Sequence, residues 1–168
     1  MILKRCSIPT PLGEIILLHD GDALVALLWG GGVDRCLAHL RRHLPPWTED
    51  TVPTIPGCTD ALHAYFEGDI SALSSVRVNP PGTPFQREVW SVLSTIAPGE
   101  AWAYKTLAAK VGRPSAQRAV AGANGKNPIP LIIPCHRVIA ADGKLGGFSC
   151  GLHRKVWLLS HEGIPFKA

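Results

Sequence analysis

Residues 83–124 read TPFQREVWSVLSTIAPGEAWAYKTLAAKVGRPSAQRAVAGAN. Thr83 can cap a helix, Pro84 suits its first turn, and Phe85, Val89, Val92/Leu93 and Ile96 recur at the helical period. Pro98-Gly99 ends that helix. Tyr104–Val111 reads as a second helix closed by Gly112, and Pro114 and Ser115 begin a third that runs to about Asn124. Two short helices joined by a tight glycine-containing turn fit a helix-turn-helix when their surroundings are basic. The surroundings are basic. Residues 85–168 carry eleven Lys and Arg against four Asp and Glu, whereas residues 1–84 carry six against nine. The whole chain's net charge of +4 therefore belongs to its second half, which suits either a polyanion or a solvated cationic surface.

Outward from this core the chain has 168 residues, 46% hydrophobic and 18% charged, enough for one domain or two small ones with a buried interior. Gly13–Leu18 and Ala23–Trp29 are apolar runs around His19-Asp20-Gly21-Asp22, the pattern of a hairpin. Gly30-Gly31-Gly32 breaks the chain, and Val33–Leu44 reads as a helix stopped by Pro45-Pro46. A Pro- and Thr-rich loop precedes a short helix at Thr59–Glu67, which Gly68 ends. Asn79-Pro80-Pro81-Gly82 marks a boundary, giving a support unit over 1–80 and a second domain over 83–168. Beyond the helix-turn-helix, Leu131-Ile132-Ile133 is β-like, Asp142–Gly151 a glycine-rich loop and Leu152–His161 a last helix.

Asp20, Gly21 and Asp22 interrupt the only candidate for the ~18 apolar residues a spanning helix needs, so no membrane is expected. Basic residues at Met1–Arg5 are followed by Pro9, Pro11 and Gly13, not by the apolar stretch of a signal peptide. Five cysteines without an export signal read as reduced thiols in the cytoplasm.

The third helix is small-residued: Ala116, Ala119, Ala121, Gly122 and Ala123 surround a single long cation, Arg118. Few of these could read base edges, so the helix suits sequence-independent DNA contact better than repression. Among the cysteines, only Cys135 has a reactive setting, with His136 and Arg137 directly after it. A thiolate is the nucleophilic form, and a base or cation nearby favours it. Neighbouring side chains in extended backbone point apart, so His136 would reach the sulfur only through a turn or a water.

The run Asn127-Pro128-Ile129-Pro130-Leu131-Ile132-Ile133-Pro134-Cys135-His136-Arg137-Val138 strongly resembles the active-site signature of the O6-alkylguanine-DNA alkyltransferases. The likeness continues through Phe85-Gln86, Val89-Trp90, Tyr104, Leu107-Ala108, Gly112 and Arg118-Ala119-Val120, and through Gly143, Gly146, Ser149, Gly151, Lys155, Leu158-Leu159 and Glu162. It covers 83–163; the first half matches loosely. The resemblance implies a small N-terminal α/β (RNase H-like) domain and a C-terminal winged helix-turn-helix domain. It also implies direct repair, in which alkylated guanine is flipped out of the duplex and Cys135 takes its alkyl group once. In that pattern Cys135 is linked through a water to His136 and then Glu162, Tyr104 donates to the base, and Asn127 ties the helix-turn-helix to the active-site turn. Arg118 fills the gap in the duplex, and Ala119, Gly122 and Ala123 let phosphates approach. Arg137, Val138, Phe148 and Ser149 complete the DNA and base contacts. The implied partner is double-stranded DNA bound in its minor groove by a monomer, associated with the nucleoid when loaded. The implied cofactor is none. Whether O4-alkylthymine is accepted, and how cooperatively DNA is loaded, stay open.

Three departures carry expectations. Ala103 replaces a common serine, which would remove a helix cap. Phe148 replaces a tyrosine, which keeps stacking and loses a hydroxyl. Cys150 replaces a glycine and would narrow the pocket. Cys36, His39 and His43 share one helix face, but without a Cys-x-x-Cys pair they read as packing, not a metal site. Three other classes stay in view: a non-catalytic binder of damaged bases, which Cys135 disfavours; a transcriptional regulator; and a thiol hydrolase.

Overall fold

The computed structural model of the chain describes residues 1–167. Its first thirty residues build a sheet from β1 (Ile2–Ile8), β2 (Ile15–His19) and β3 (Leu24–Trp29). The expected hairpin is β2–β3, with Leu17 opposite Leu27. Its turn closes on Asp20, whose Oδ1 accepts from the N–H groups of Asp22 at 2.8 Å and Ala23 at 2.9 Å. β1 was not expected. Its buried positions Leu3, Cys6 and Ile8 are spaced three and two apart among Lys4, Arg5 and Ser7, so the strict alternation of a strand is broken. Nevertheless it lies inside the sheet, antiparallel to β2. After α1 (Val33–His43), the chain returns as β4 (Thr48–Thr51), parallel to β1. All four β4 residues are exposed and polar, so only the partner strand makes this segment a strand.

One sheet face packs against α1, where Leu40 meets Leu3, Leu18, Val25 and Leu28. The other face packs against α2 (Thr59–Phe66), and its core runs without a break into the second half. Leu17, Trp29 and Tyr65 share one buried cluster with Trp90, Leu93 and Val120. The halves are also stitched by backbone. Leu27 N–H donates to the Pro128 carbonyl across the two halves (2.9 Å), and Asn79 N–H, at the end of the first half, ties the linker to the Leu24 carbonyl (2.8 Å).

The second half opens with α3 (Pro84–Leu93), whose end is sealed reciprocally: Gln86 N–H donates to Thr83 Oγ1 and Thr83 N–H to Gln86 Oε1. A two-residue β5 (Trp102–Ala103) leads into α4 (Tyr104–Lys110). Ala103 gives α4 no side-chain cap, as its replacement of serine implies. The next helix, α5, spans Gln117–Gly125. It starts later than Pro114 because Ala116 N–H closes a turn on the Arg113 carbonyl first. Trp90 Nε1 donates to the Ala123 carbonyl at 2.8 Å and anchors α5 to α3.

Leu131-Ile132-Ile133 is not a strand. Prolines at 128, 130 and 134 remove the donors a ladder needs, and Ile133 N–H folds back onto the Ile129 carbonyl. Leu131 takes φ of 76°, the only such non-glycine among the described residues. Cys135–Arg137 then form one 3-10 turn before β6 (Val138–Ile139), which pairs parallel with β5. The chain finishes with α6 (Leu152–His161). No helix among the described residues is long and apolar enough to cross a membrane.

Candidate active site

The turn that carries Cys135 is clamped by Asn127. Its Nδ2 donates to the Ile133 carbonyl (2.8 Å) and its Oδ1 accepts from Ile129 N–H (2.9 Å). A buried amide just past the end of α5 therefore holds the turn that carries Cys135. Cys135 is 4% exposed. Its side chain shares a cleft of about 300 Å³ with Tyr104, Asn124, Phe148, Ser149 and Arg35, at the low end of small-molecule sites. Ala121 and Gly125 of α5 form another wall, so the thiol opens beside the helix-turn-helix.

Burial pushes the Cys135 thiol up; Asn127, the Lys155 charge and the backbone N–H groups of Leu131 and Cys135 pull it back without cancelling that rise. At neutral pH the resting sulfur is a thiol, so a base must take its proton before it can attack. His136 follows Cys135 in the chain. It is fully buried, and burial holds its pKa below 6.5 despite the pull of Glu162. Its Nε2 donates to Glu162 Oε2 at 2.6 Å, which leaves Nδ1 as the lone-pair nitrogen. That Nδ1 is buried and has no hydrogen-bond partner. No direct bond joins it to the sulfur.

Glu162 ends α6 at a buried position, not a solvated one. Oε2 accepts from His136 and from the Tyr65 hydroxyl (2.7 Å). Oε1 accepts from Arg137 Nε (2.7 Å) and Gly99 N–H (3.2 Å). Burial alone would raise its pKa, but the bonds and charges of His136 and Arg137 outweigh it and hold the carboxyl well below the usual range. The carboxylate is thus ionised, and both of its oxygens are taken up in holding the imidazole, the tyrosine and the guanidinium in place.

Several expected contacts fall elsewhere. Arg137 is not a DNA contact: it is 6% exposed, paired with Glu162, and its Nη1 donates to the Ile96 carbonyl. Ala123 faces the core, while Arg118, Ala119 and Gly122 lie exposed on α5. Val138 is buried and its carbonyl already accepts from Lys155 Nζ (2.7 Å), which leaves one lone pair for a base. Cys150 is buried and not among the walls of the cleft, so it does not narrow it. Phe148 and Ser149 do line it. Tyr104 stands against Gly146, where a Cβ would lie 2.8 Å from its hydroxyl. Burial raises its pKa, so it keeps its proton. Cys36 faces the Pro128 carbonyl and His39 the Pro81 carbonyl; no three metal-ligating side chains converge among the described residues.

Reading the sequence missed Tyr65, Gly99, Arg35 and Asn124, and assigned Lys155 no role. Asn124 Oδ1 is buried without a partner. Tyr65 carries no motif, and only the fold brings it to Glu162. Lys155 sits fully buried, its pKa lowered by burial to about 8, bonded to the Val138 and Gly147 carbonyls.

A thiol with a neutral imidazole base, opening beside an exposed arginine on a helix-turn-helix, defines a DNA-facing cysteine protein. Known proteins narrow that class. The family model for the DNA-binding domain of 6-O-methylguanine DNA methyltransferase matches residues 84–164, and that for its ribonuclease-like domain matches 3–80. Methylated-DNA–protein-cysteine methyltransferases from Shigella flexneri and Salmonella typhimurium are 42% and 43% identical over 160 residues, 94% of this chain and 94% of each relative. The crystal structure of Mycobacterium tuberculosis OGT in complex with DNA superposes with a TM-score of 0.78 at 37% identity, over 96% of this chain and 95% of that one. The chain belongs to the methylated-DNA–protein-cysteine methyltransferase family, and its fold pairs the N-terminal ribonuclease-like domain with the C-terminal DNA-binding domain.

Proposed function

We propose that this protein repairs DNA by moving the alkyl group of O6-alkylguanine to Cys135 Sγ, once per chain. The observation that carries the reading is the unpartnered Nδ1 of His136, a base anchored on Glu162 next to a thiol that opens beside α5. The alkylated oxygen lies inside the base stack, so the nucleotide must be extruded into the cleft, at a cost of a few kcal/mol. Arg118, long and exposed, occupies the vacated space, and the small residues Ala119 and Gly122 let the minor-groove backbone come close.

The transfer balances within the site. His136 Nδ1 takes the thiol proton through a water, and Sγ attacks the alkyl carbon as the carbon–O6 bond breaks. The leaving guanine takes the Tyr104 hydroxyl proton, and the proton that His136 took from the thiol returns through water to the tyrosinate, so both side chains end as they began. The product thioether has no route back to a thiol, so each chain acts once. Residues 83–168 supply this chemistry and residues 1–80 support it, Tyr65 of α2 reaching into the Glu162 network.

The test is intact-protein mass spectrometry after incubation with an O6-methylguanine duplex. We expect a gain of one methyl group per chain, mapped to Cys135, no turnover beyond one equivalent, and no gain for Cys135→Ala. Methyl on another residue, or repeated turnover, overturns the reading. An O4-methylthymine duplex in the same assay decides whether the pyrimidine is accepted.

A further inference from the structure

The first half of the chain is acidic, yet three of its six Lys and Arg, Arg35, Arg41 and Arg42, lie on α1. Arg35, Ala38, His39 and Arg42 recur at i, i+3, i+4 and i+7, one face of the helix. That face forms a cleft with Lys126, the residue that caps the C-terminal end of α5, and no Asp or Glu lines it. Arg35, Arg42 and Lys126 are exposed and enter no ion pair among the described residues. Ala38, between the two arginines, is small and exposed. His39 adds no charge: burial lowers its pKa, and its ring bonds the Pro81 carbonyl.

The position of this cleft identifies its occupant. Arg35, Gly125 and Ser149 line both it and the cleft that holds Cys135. Lys126 lies eight residues along from Arg118, about 12 Å at a helical rise. That is three to four nucleotide steps of one DNA strand. A duplex seated on Arg118 would therefore bring its backbone to a cationic groove with no competing carboxylate.

We propose that the cleft between α1 and the end of α5 is a phosphate-binding track for the DNA backbone beside the everted nucleotide, which makes the N-terminal domain part of the DNA-binding surface. This rests on the DNA-repair reading above. Arg35 and Arg42 each neutralise one phosphate, Ala38 leaves room for the strand between them, and Lys126 joins the track to the helix-turn-helix.

The experiment measures affinity for an O6-methylguanine duplex against salt concentration. Each lost phosphate contact lowers the slope of log K against log salt by about 0.9, so R35Q/R42Q should lose about 1.8. R35K/R42K, which keeps the charges, should regain it. R41Q should keep the wild-type slope, because Arg41 lines a different surface with Trp47 and Glu49. A wild-type slope in R35Q/R42Q, in a preparation whose wild type transfers its methyl group, overturns the track and leaves the repair reading standing. Equal losses in R35Q/R42Q and R41Q also overturn it, since they would report only diffuse charge. A wild type that transfers no methyl group overturns both.

Discussion

Replacing Glu162 by Gln tests the buried network behind the thiol. The carboxylate accepts four hydrogen bonds, two at each oxygen, from His136, Tyr65, Arg137 and Gly99. Gln keeps one oxygen, so two of the four donors would face an NH2 group, and the Arg137 guanidinium would lose its counter-charge. Breaking a buried pair from one side costs about 3–5 kcal/mol, a large part of the roughly 5–15 kcal/mol that holds a domain folded. At roughly 2–4 °C per kcal/mol for a chain of this size, Tm should fall by about 6–20 °C. The sign of the pH dependence follows from the depressed carboxyl. Its stabilisation is present above the ordinary value of 4.5 and is lost as pH falls toward its lower folded value. Urea melts of both proteins from pH 3 to 8 should therefore show the gap at full size near neutrality and shrinking below pH 4.5. Methyl-transfer rates on the folded variant should fall as well, since the imidazole loses its orienting acceptor. A variant within ~1 kcal/mol of wild type at pH 7, with an unchanged gap at pH 3.5, would refute the assigned network.

His136→Ala should slow single-turnover transfer by about 10²–10⁴-fold. Thiol and imidazole pass one proton between them, so the wild-type rate should be flat from pH 7 to 8.5. The variant's should climb with pH, because its thiol, raised by burial above 9.0, must ionise to solvent. A flat profile in both would exclude His136 as the base. Gly146→Ala adds a Cβ at φ of 68° and 2.8 Å from the Tyr104 hydroxyl. We expect a stability loss of about 1–2 kcal/mol and, with Tyr104 displaced, transfer slower by about 10²-fold. Wild-type transfer rates in that variant would show that the Tyr104 position is unimportant.

Much of this protein could be read from local signals. The α3 start needs only Thr83, Pro84 and Gln86, because a reciprocal cap closes within four residues. The β2–β3 hairpin needs only its apolar runs and Asp20. Cys135 and His136 stand out by adjacency, and Asn127 only through the resemblance to the alkyltransferase signature; the turn that holds all three is built from its own prolines and amide. By contrast, β4 has four exposed polar residues and is a strand only because β1 offers it a ladder.

What the chain itself determined is therefore the helices, the β2–β3 hairpin and the setting of Cys135, since these depend on contacts a few residues apart. The tertiary structure decided the protonation chemistry and the fate of the charges. Glu162 lies 26 residues from His136 and 97 from Tyr65, and no local pattern says that these three meet. Arg137 stands two residues from Cys135 in sequence but turns inward to Glu162, whereas Arg35 comes from the opposite half to line the thiol's cleft. Burial and charge pairing depend on what folds against a residue, and that is settled only when the two halves close over one core.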